Sequence, residues 1–528
     1  MLLIKSLLAL AATTLAADFP TVEVVGNKFF YTNNGSQFYM RGIAYQQDTS
    51  QLSSSSDSVV HFVDPLANAD ACKRDIPYFQ EVNTNVLRVY ALDANADHDE
   101  CMKALQDAGI YVIADLSAPN ISIITDSPSW TIDLYNRYTQ VIDVMAKYEN
   151  TLGFFAGNEV ITNSSNTDCA PFVKAAVRDM KKYISDSGYR NIPVGYSAND
   201  DGKTRVASAD YFSCGNLDDR ADFYGINMYE WCGKSSFQTS GYKDRTEEFS
   251  NLTIPAFFSE YGCNAVQPRE FGDIEALYSD DMTDVWSGGI IYMYFEEANN
   301  YGLVEVNGDK VKTLKDFENL KTQIVSVSPK IAKTGDVSAD ATLACPATYS
   351  NWAAATELPP TPDQAVCNCI KSSSKCVVAD SVKQKKYGEL FGTICGKIDC
   401  SDIDADGESG EYGAFSFCSA EEKLNYVLNK YYEEANENKS ACNFNGAASI
   451  VDASADSTCS DVLAAKATAS GASKNTKYGS SGNKSASGAS SGSATSSGAA
   501  VGSYVHSNGF SWLSILSTLL FSAVAFIA

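Results

Sequence analysis

Residues 153–159 read GFFAGNE, an apolar run that stops on Asn158 and Glu159. It has no helical period and two aromatics near its centre, which reads as a β-strand buried on both faces rather than one side of a helix. Amphipathic stretches lie on either side, 129–148 and 168–187, and beyond them come two more short apolar runs, 111–116 and 193–197. A buried strand bracketed in this way belongs to consecutive β-α-β units, whose strands run parallel. The rhythm continues in both directions. Apolar runs at 38–45, 86–92, 223–231, 256–260 and 289–295 bring the strands to eight, with further helical patterns at 64–82, 99–108 and 273–286. Eight strands separated by helices over roughly 300 residues predict an α/β fold, a (β/α)8 TIM barrel spanning 18–330. A doubly wound open sheet is the competing arrangement, but no GxGxxG or P-loop motif follows any strand.

Barrels of this kind carry their chemistry on the C-terminal ends of the strands. The fourth run ends in Gly157-Asn158-Glu159, and the seventh leads into Ser259-Glu260-Tyr261-Gly262. Strands four and seven are nearly opposite in an eight-membered ring, so both glutamates can face one cleft. Two carboxyls astride a bond are the minimum for glycoside chemistry: one, protonated, donates to the leaving oxygen, and the other, ionised, attacks the anomeric carbon. A lone strand-end glutamate reads as an ordinary polar loop residue; the pair, with Asn158 beside one member, favours chemistry. Other carboxylates also end strands: Asp115 the third, Glu230 the sixth, Glu296 and Glu297 the eighth. These are expected to shape the site, with Asp115 also able to hydrogen-bond a sugar hydroxyl.

Both ends of the chain read as processing signals. Lys5, an apolar run over 7–12 and small residues up to Ala17 predict a secretory signal peptide, 1–17, against the alternative of a buried first helix. Toward the other end the chain turns almost wholly to Ser, Gly and Ala, which cannot bury a core, and a stalk is placed at 461–498. Small residues at Gly498, Ala499 and Ala500, a spacer of about nine residues and an apolar tail of about nineteen match a GPI-anchor signal. Gly498 is taken as the attachment residue, with Ser497 nearly as good, and 499–528 as the propeptide. A spanning helix is the alternative, but no basic stop-transfer cluster follows the tail. Sequons at Asn34, Asn120, Asn163, Asn251, Asn438 and Asn483 agree with an exported chain.

The formal charge of −25 excludes a nucleic-acid partner, because contacts to phosphate would be repulsive. Fifteen cysteines in an exported chain imply disulfides, and none has zinc-like spacing, so neither a metal nor a cofactor is expected. Eight of them crowd into 367–459, a stretch with too little core to stand without staples. Pro359, Pro360 and Pro362 mark a linker, 331–366, between the barrel and this small disulfide-rich α+β module at 367–460. An odd count leaves one thiol over.

The stretches EVVGNKFFY (23–31), NNGSQFYMRGIAYQ (33–46), NVLRVYALD (85–93), YVIADLSAP (111–119), LGFFAGNEV (152–160), IPVGYSANDD (192–201), FYGINMYEWCG (223–233), FFSEYGCN (257–264) and WSGGIIYMYFEE (286–297) closely resemble the fungal GPI-anchored β-1,3-glucanosyltransferases of glycoside hydrolase family 72. The resemblance continues through the cysteine-rich part, which looks like a family 43 carbohydrate-binding module. It implies Glu159 as general acid/base, Glu260 as nucleophile, and sugar contacts from Tyr90, Asp115, Asn158, Asp200, Arg205, Tyr229 and Tyr292. The residue chemistry agrees: Asn158 can hold a 2-hydroxyl, Tyr229 can donate to Glu260 and favour the ionised nucleophile, and Tyr90 and Tyr292 can stack or donate, although a tyrosine is as often a packing residue.

The mechanism implied is retaining. Water resolving the covalent intermediate makes a glucanase and a second glucan makes a transferase; the resemblance favours transfer, lengthening β-1,3-glucan. The partners implied are a β-1,3-glucan donor and acceptor and, through a GPI lipid, the outer face of the plasma membrane or the cell wall, with the protein acting as a monomer. An endo-β-1,3-glucanase and a non-catalytic glucan-binding wall protein are the other two readings. The resemblance also implies the disulfides Cys72–Cys101, Cys214–Cys345, Cys232–Cys263, Cys367–Cys418, Cys369–Cys459, Cys376–Cys442 and Cys395–Cys400. Cys169, which departs from the family pattern, is left as either a buried free thiol or an exposed one. The module either binds glucan through some of Tyr387, Phe391, Tyr412, Phe415 and Phe417 or braces the barrel.

Overall fold

The computed structural model describes residues 19–47, 62–338, 341–454, 458–459 and 461–466. The signal peptide, nearly all of the stalk, Gly498, the propeptide and the sequon at Asn483 lie outside the described residues.

Eight parallel strands close into a barrel in sequence order: β1 Met40–Ala44, β2 Val86–Val89, β3 Tyr111–Asp115, β4 Thr151–Asn158, β5 Val194–Ala198, β6 Tyr224–Met228, β7 Ala256–Tyr261 and β8 Trp286–Ile291. Their apolar continuity follows from burial on both faces, by the ring of helices outside and by aromatic packing within. Inside, Phe155, Phe223 and Phe257 meet with ring centroids 5.3–6.1 Å apart. Phe223 fits because β5 offers Gly195, where a Cβ would lie 2.4 Å from its ring. A three-stranded antiparallel sheet, Val22–Val25, Lys28–Tyr31 and Gln37–Phe38, closes the N-terminal mouth by laying the fully buried Phe29 against Phe223 and Phe257.

The helices are α1 Ala69–Glu81, α2 Asp99–Asp107, α3 Ile132–Met145, α4 Ala170–Asp186, α5 Arg205–Ser213, α6 Tyr242–Phe249, α7 Asp273–Leu277 and α8 Lys315–Ile324. The pattern at 64–82 resolves into a 3-10 turn at Pro65–Ala67 and then α1, because the Asn68 side chain caps Ala71 N at 3.0 Å and starts the helix there. The pattern at 273–286 is helical only as far as Leu277. Beyond it tight turns such as Met282 N to Ser279 O (3.1 Å) lead into β8, which starts at Trp286 rather than at 289. Gly288 permits the earlier start: its φ is +89°, and a Cβ there would lie 2.2 Å from Met40 O on β1.

Seven disulfides join described cysteines: Cys72–Cys101, Cys214–Cys345, Cys232–Cys263, Cys367–Cys418, Cys369–Cys459, Cys376–Cys442 and Cys395–Cys400. Residues 341–363 run along the barrel rather than away from it. Besides Cys214–Cys345, the fully buried Trp352 packs against Tyr211 (5.5 Å), Tyr211 OH donates to Ala355 O (2.6 Å) and Arg178 Nη2 to Pro359 O (2.9 Å). The module that follows contains α9 Gln364–Ser373, α10 Tyr387–Cys395, α11 Ala420–Glu434 and an antiparallel pair, Cys376–Val378 with Ala448–Ile450. Its core includes Phe415 and Phe417, while Tyr412 packs edge-on against Phe172 of α4 and Phe417 O accepts Ile132 N of α3 at 2.8 Å. Tyr387 and Phe391 on α10 stay partly exposed. Among the described residues no helix is long and apolar enough to cross a membrane.

Candidate active site

Glu159 directly follows β4 and takes a left-handed backbone conformation, φ 49°, with its N–H donated to Ser197 O at 2.8 Å. Asn227, from β6, donates its Nδ2 to Glu159 Oε1 at 2.7 Å. Burial, reinforced by the charge of Glu260, pushes the Glu159 carboxyl up to about 7, while the Asn227 amide and the Arg88 guanidinium act in the opposite direction. The group is therefore set to hold a proton at near-neutral pH.

Glu260 on β7 sits in the opposite setting. Tyr90 OH donates to Oε1 (2.8 Å), Tyr229 OH to Oε2 (2.9 Å) and Arg88 Nη1 to Oε1 (3.3 Å). All three partners are donors, the environment an acceptor-only carboxylate needs. Burial first, and then the nearby Glu260 charge, hold both tyrosine hydroxyls well above the ordinary phenol range, so they stay protonated donors.

Beneath the two glutamates lies Arg88 of β2, fully buried between the rings of Tyr90 and Phe155, each 4.4 Å from its Cζ. Its donors are all engaged. Nε and Nη2 form a fork on Asp115 (3.1 and 3.2 Å), Nη2 also reaches Asn158 Oδ1 (3.0 Å), and Nη1 reaches Ser259 O (3.1 Å) as well as Glu260. Burial works against its charge, but Asp115, Tyr90 and Glu260 outweigh it and raise the pKa above the usual arginine value. Ser197 Oγ contacts Asn158 Oδ1 (2.8 Å) and Ser259 Oγ (2.8 Å), and Ser259 Oγ donates to Asn227 Oδ1 (2.9 Å). One polar layer under the cleft floor thus links β2, β3, β4, β5, β6 and β7.

The structure brings Tyr90, Asn158, Tyr229 and Asp115 together around the two glutamates, and it puts Tyr292 beside Tyr90 with ring centroids 6.5 Å apart. Asp115 gives both oxygens to Arg88. Asp200 and Arg205 pair with each other at 2.9 Å and belong to a separate ionic network, in which Arg205 Nε meets Glu248 (2.9 Å) and Arg245 meets Glu230 (3.1 Å). Of the other strand-end carboxylates, Glu296 accepts Gly302 N at 2.8 Å and so shapes the loop after β8. Sequence reasoning missed Arg88, Ser197, Asn227, Ser259 and Tyr301; Tyr301 lies edge-on to both Tyr229 (5.9 Å) and Tyr292 (5.2 Å).

Cys169 is a buried free thiol near Thr125 O (3.5 Å), pushed up to about 12 chiefly by burial, which makes it unreactive. The five sequon asparagines among the described residues are all exposed. Among the described residues one group has ligand atoms close enough for a metal, Cys367, Cys418 and Glu422, and its two cysteines are joined in a disulfide.

Residues 11–328 match the family model described as glucanosyltransferase, glycoside hydrolase family 72, and residues 374–449 match the X8 domain. The chain is 62% identical to pH-responsive protein 1 of Candida albicans, over 89% of this chain and 88% of that protein. It is 52% identical to 1,3-beta-glucanosyltransferase gas1 of Schizosaccharomyces pombe, over 87% and 85%. A solved structure of a Saccharomyces cerevisiae Gas2p variant, in complex with laminaritetraose and laminaripentaose, superposes with a TM-score of 0.77 at 46% identity, covering 85% of this chain and 99% of that one. With an eight-stranded barrel, two carboxyls in opposite settings at its C-terminal mouth and matches of this extent, the chain belongs to the glucanosyltransferases of glycoside hydrolase family 72 and carries an X8 domain behind its catalytic barrel.

Proposed function

We propose that this enzyme cleaves β-1,3-glucan internally and transfers the new reducing end to the non-reducing end of a second β-1,3-glucan. Glu260 attacks the anomeric carbon while Glu159 protonates the departing oxygen, leaving a glycosyl ester on Glu260. Glu159, now a carboxylate, takes the proton from the incoming hydroxyl as that oxygen attacks the same carbon and Glu260 is released. The observation that carries this reading is the opposed setting of the two carboxyls: Glu159 is raised to about 7 by burial and the Glu260 charge, whereas Glu260 is ringed by donors from Arg88, Tyr90 and Tyr229. Arg88 and Ser197 hold Asn158 Oδ1, which leaves its amide NH2 for a 2-hydroxyl. The relatives' names and their laminari-oligosaccharide complexes support β-1,3-glucan as donor and acceptor. Tyr292, Asp200 and Arg205 are assigned sugar contacts in the same cleft.

The same reading places the protein at the outer face of the plasma membrane through a GPI lipid on Gly498, with glycans on exposed sequons. The partly exposed Tyr387 and Phe391 favour a module that also binds glucan. The test is product analysis on a reduced laminari-oligosaccharide, with wild type and Glu260→Gln side by side. Products longer than the starting chain, absent from the variant, are expected. Only shorter products would make the enzyme a glucanase, and an active variant would remove Glu260 from the nucleophile's role.

A further inference from the structure

Arg269 lies in the loop between β7 and α7, only 2% exposed, with no contact to either catalytic glutamate. Its donors converge on the backbone of both neighbouring strand ends. Nη1 donates to Gly262 O (3.2 Å), two residues beyond Glu260, and to Tyr292 O (2.6 Å), just past β8. Nη2 donates to Tyr301 O (2.6 Å), further along the loop after β8. The fork itself is held from behind: Nε meets Asp316 Oδ2 (2.6 Å) and the backbone N–H meets Asp316 Oδ1 (3.1 Å), with Asp316 buried in the first turn of α8. The Phe271 ring packs against the guanidinium, 4.8 Å from its Cζ.

The two carbonyls beyond β8 belong to Tyr292 and Tyr301, and those rings are what the donors of Glu260 lean on. Tyr292 is edge-on to Tyr90 (6.5 Å), Tyr301 is edge-on to Tyr229 (5.9 Å), and the two buttressing rings meet each other at 5.2 Å. Tyr90 and Tyr229 then donate to the two oxygens of Glu260 at 2.8 and 2.9 Å. We propose that Arg269 is a positioning residue for the nucleophile: one planar cation ties the end of β7 to the loop after β8 and so fixes the tyrosines that orient Glu260. A lysine cannot replace it, because a single ammonium on a flexible stem does not span three carbonyls and a carboxylate set in a fork. The inference rests on Glu260 being the nucleophile, and its test separates the two claims.

The full chain is treated with a 2-deoxy-2-fluoro-β-laminari-oligosaccharyl fluoride. Glu260 attacks C1, the C1–F bond breaks with fluoride taking the electron pair, and the ester accumulates because the C2 fluorine slows its breakdown. The first-order trapping constant is independent of the active fraction, so a variant that is only partly unfolded loses amplitude and keeps the wild-type constant. Arg269→Lys is expected to lower the constant by about tenfold or more, with the label still on the Glu260 peptide. Asp316→Asn, which keeps an acceptor for the Arg269 N–H but turns an amide toward Nε, is expected to lower it less. A wild-type constant in folded Arg269→Lys overturns the proposal; should that variant not fold, a wild-type constant in Asp316→Asn does so. A label on any other residue overturns Glu260 as nucleophile instead.

Discussion

Glu159→Gln should make the protein more stable at alkaline pH while removing the proton donor proposed for catalysis. Folding lifts the Glu159 carboxyl from its ordinary 4.5 to about 7, so the folded state favours the protonated form. The stability this contributes is complete below about pH 4.5 and is lost as pH rises through about 7. A shift of that size, at about 1.4 kcal/mol per unit, corresponds to about 3 kcal/mol between the two ends of the window. The residue keeps partial contact with the open cleft, so solvent screening reduces the observable part to about 1–3 kcal/mol. Glutamine carries no charge at any pH, retains an oxygen for the 2.7 Å bond from Asn227 Nδ2, and meets the same backbone φ of 49°. The two proteins should therefore differ by a constant below about pH 4.5, the variant should gain on wild type as pH rises from about 4.5 to about 7, and the gap should be constant again above that. Urea denaturation with disulfides intact, at pH 4.5, 6, 7 and 8.5, reads the gap directly. A gap that does not change with pH would refute the claim that Glu159 is held protonated by its surroundings.

The same titration bears on catalysis: kcat/KM for glucan cleavage should fall about tenfold per pH unit above about 7, as Glu159 loses its proton, and a level profile to pH 9 would contradict it. Arg88→Met strands Asp115 and removes donors from Asn158 and Glu260, so denaturant titration should show a loss of about 3–5 kcal/mol. A loss under about 1 kcal/mol would mean the polar layer repacks around the gap. Gly288→Ala places a Cβ against Met40 O at a φ of +89°, and its melting curve should show destabilisation on the order of 3 kcal/mol or more. An unchanged melting temperature would show that β8 can shift away from β1.

The barrel was readable because buried parallel strands have no choice of composition: each appears as an apolar run wherever both faces are covered. Elements that bury little left a weaker trace. Helix α6, YKDRTEEF, buries only Tyr242, Arg245 and Phe249, and it gave no apolar stripe to follow. The end of α7 was invisible for a different reason, since the turns after Leu277 come from backbone hydrogen bonds that no periodicity encodes. In the site, Glu159 and Glu260 stand out because each closes an apolar run. Arg88, Asn227 and Ser259 stand inside such runs and look like interruptions, and Ser197, though it closes one, carries no charge to mark it. Arg88 carried a usable signal, because a cation in the middle of an all-apolar strand must find buried acceptors on neighbouring strands. Arg269 carried none: its partner Asp316 lies 47 residues away, and its other acceptors are backbone carbonyls.

The central claim is that Glu159 and Glu260 divide the roles of acid/base and nucleophile. The anomeric configuration of the azide product tests it most directly, with Glu159→Ala and Glu260→Ala each given azide and an aryl β-laminarioside bearing a good leaving group. Without the acid/base the ester on Glu260 still forms, and azide displaces it to give the β-glycosyl azide at an accelerated rate. Without the nucleophile azide attacks the opposite face of the sugar directly, and the α-azide results. Those two outcomes are what the account predicts; β-azide from Glu260→Ala, or no azide product from either variant, would contradict it.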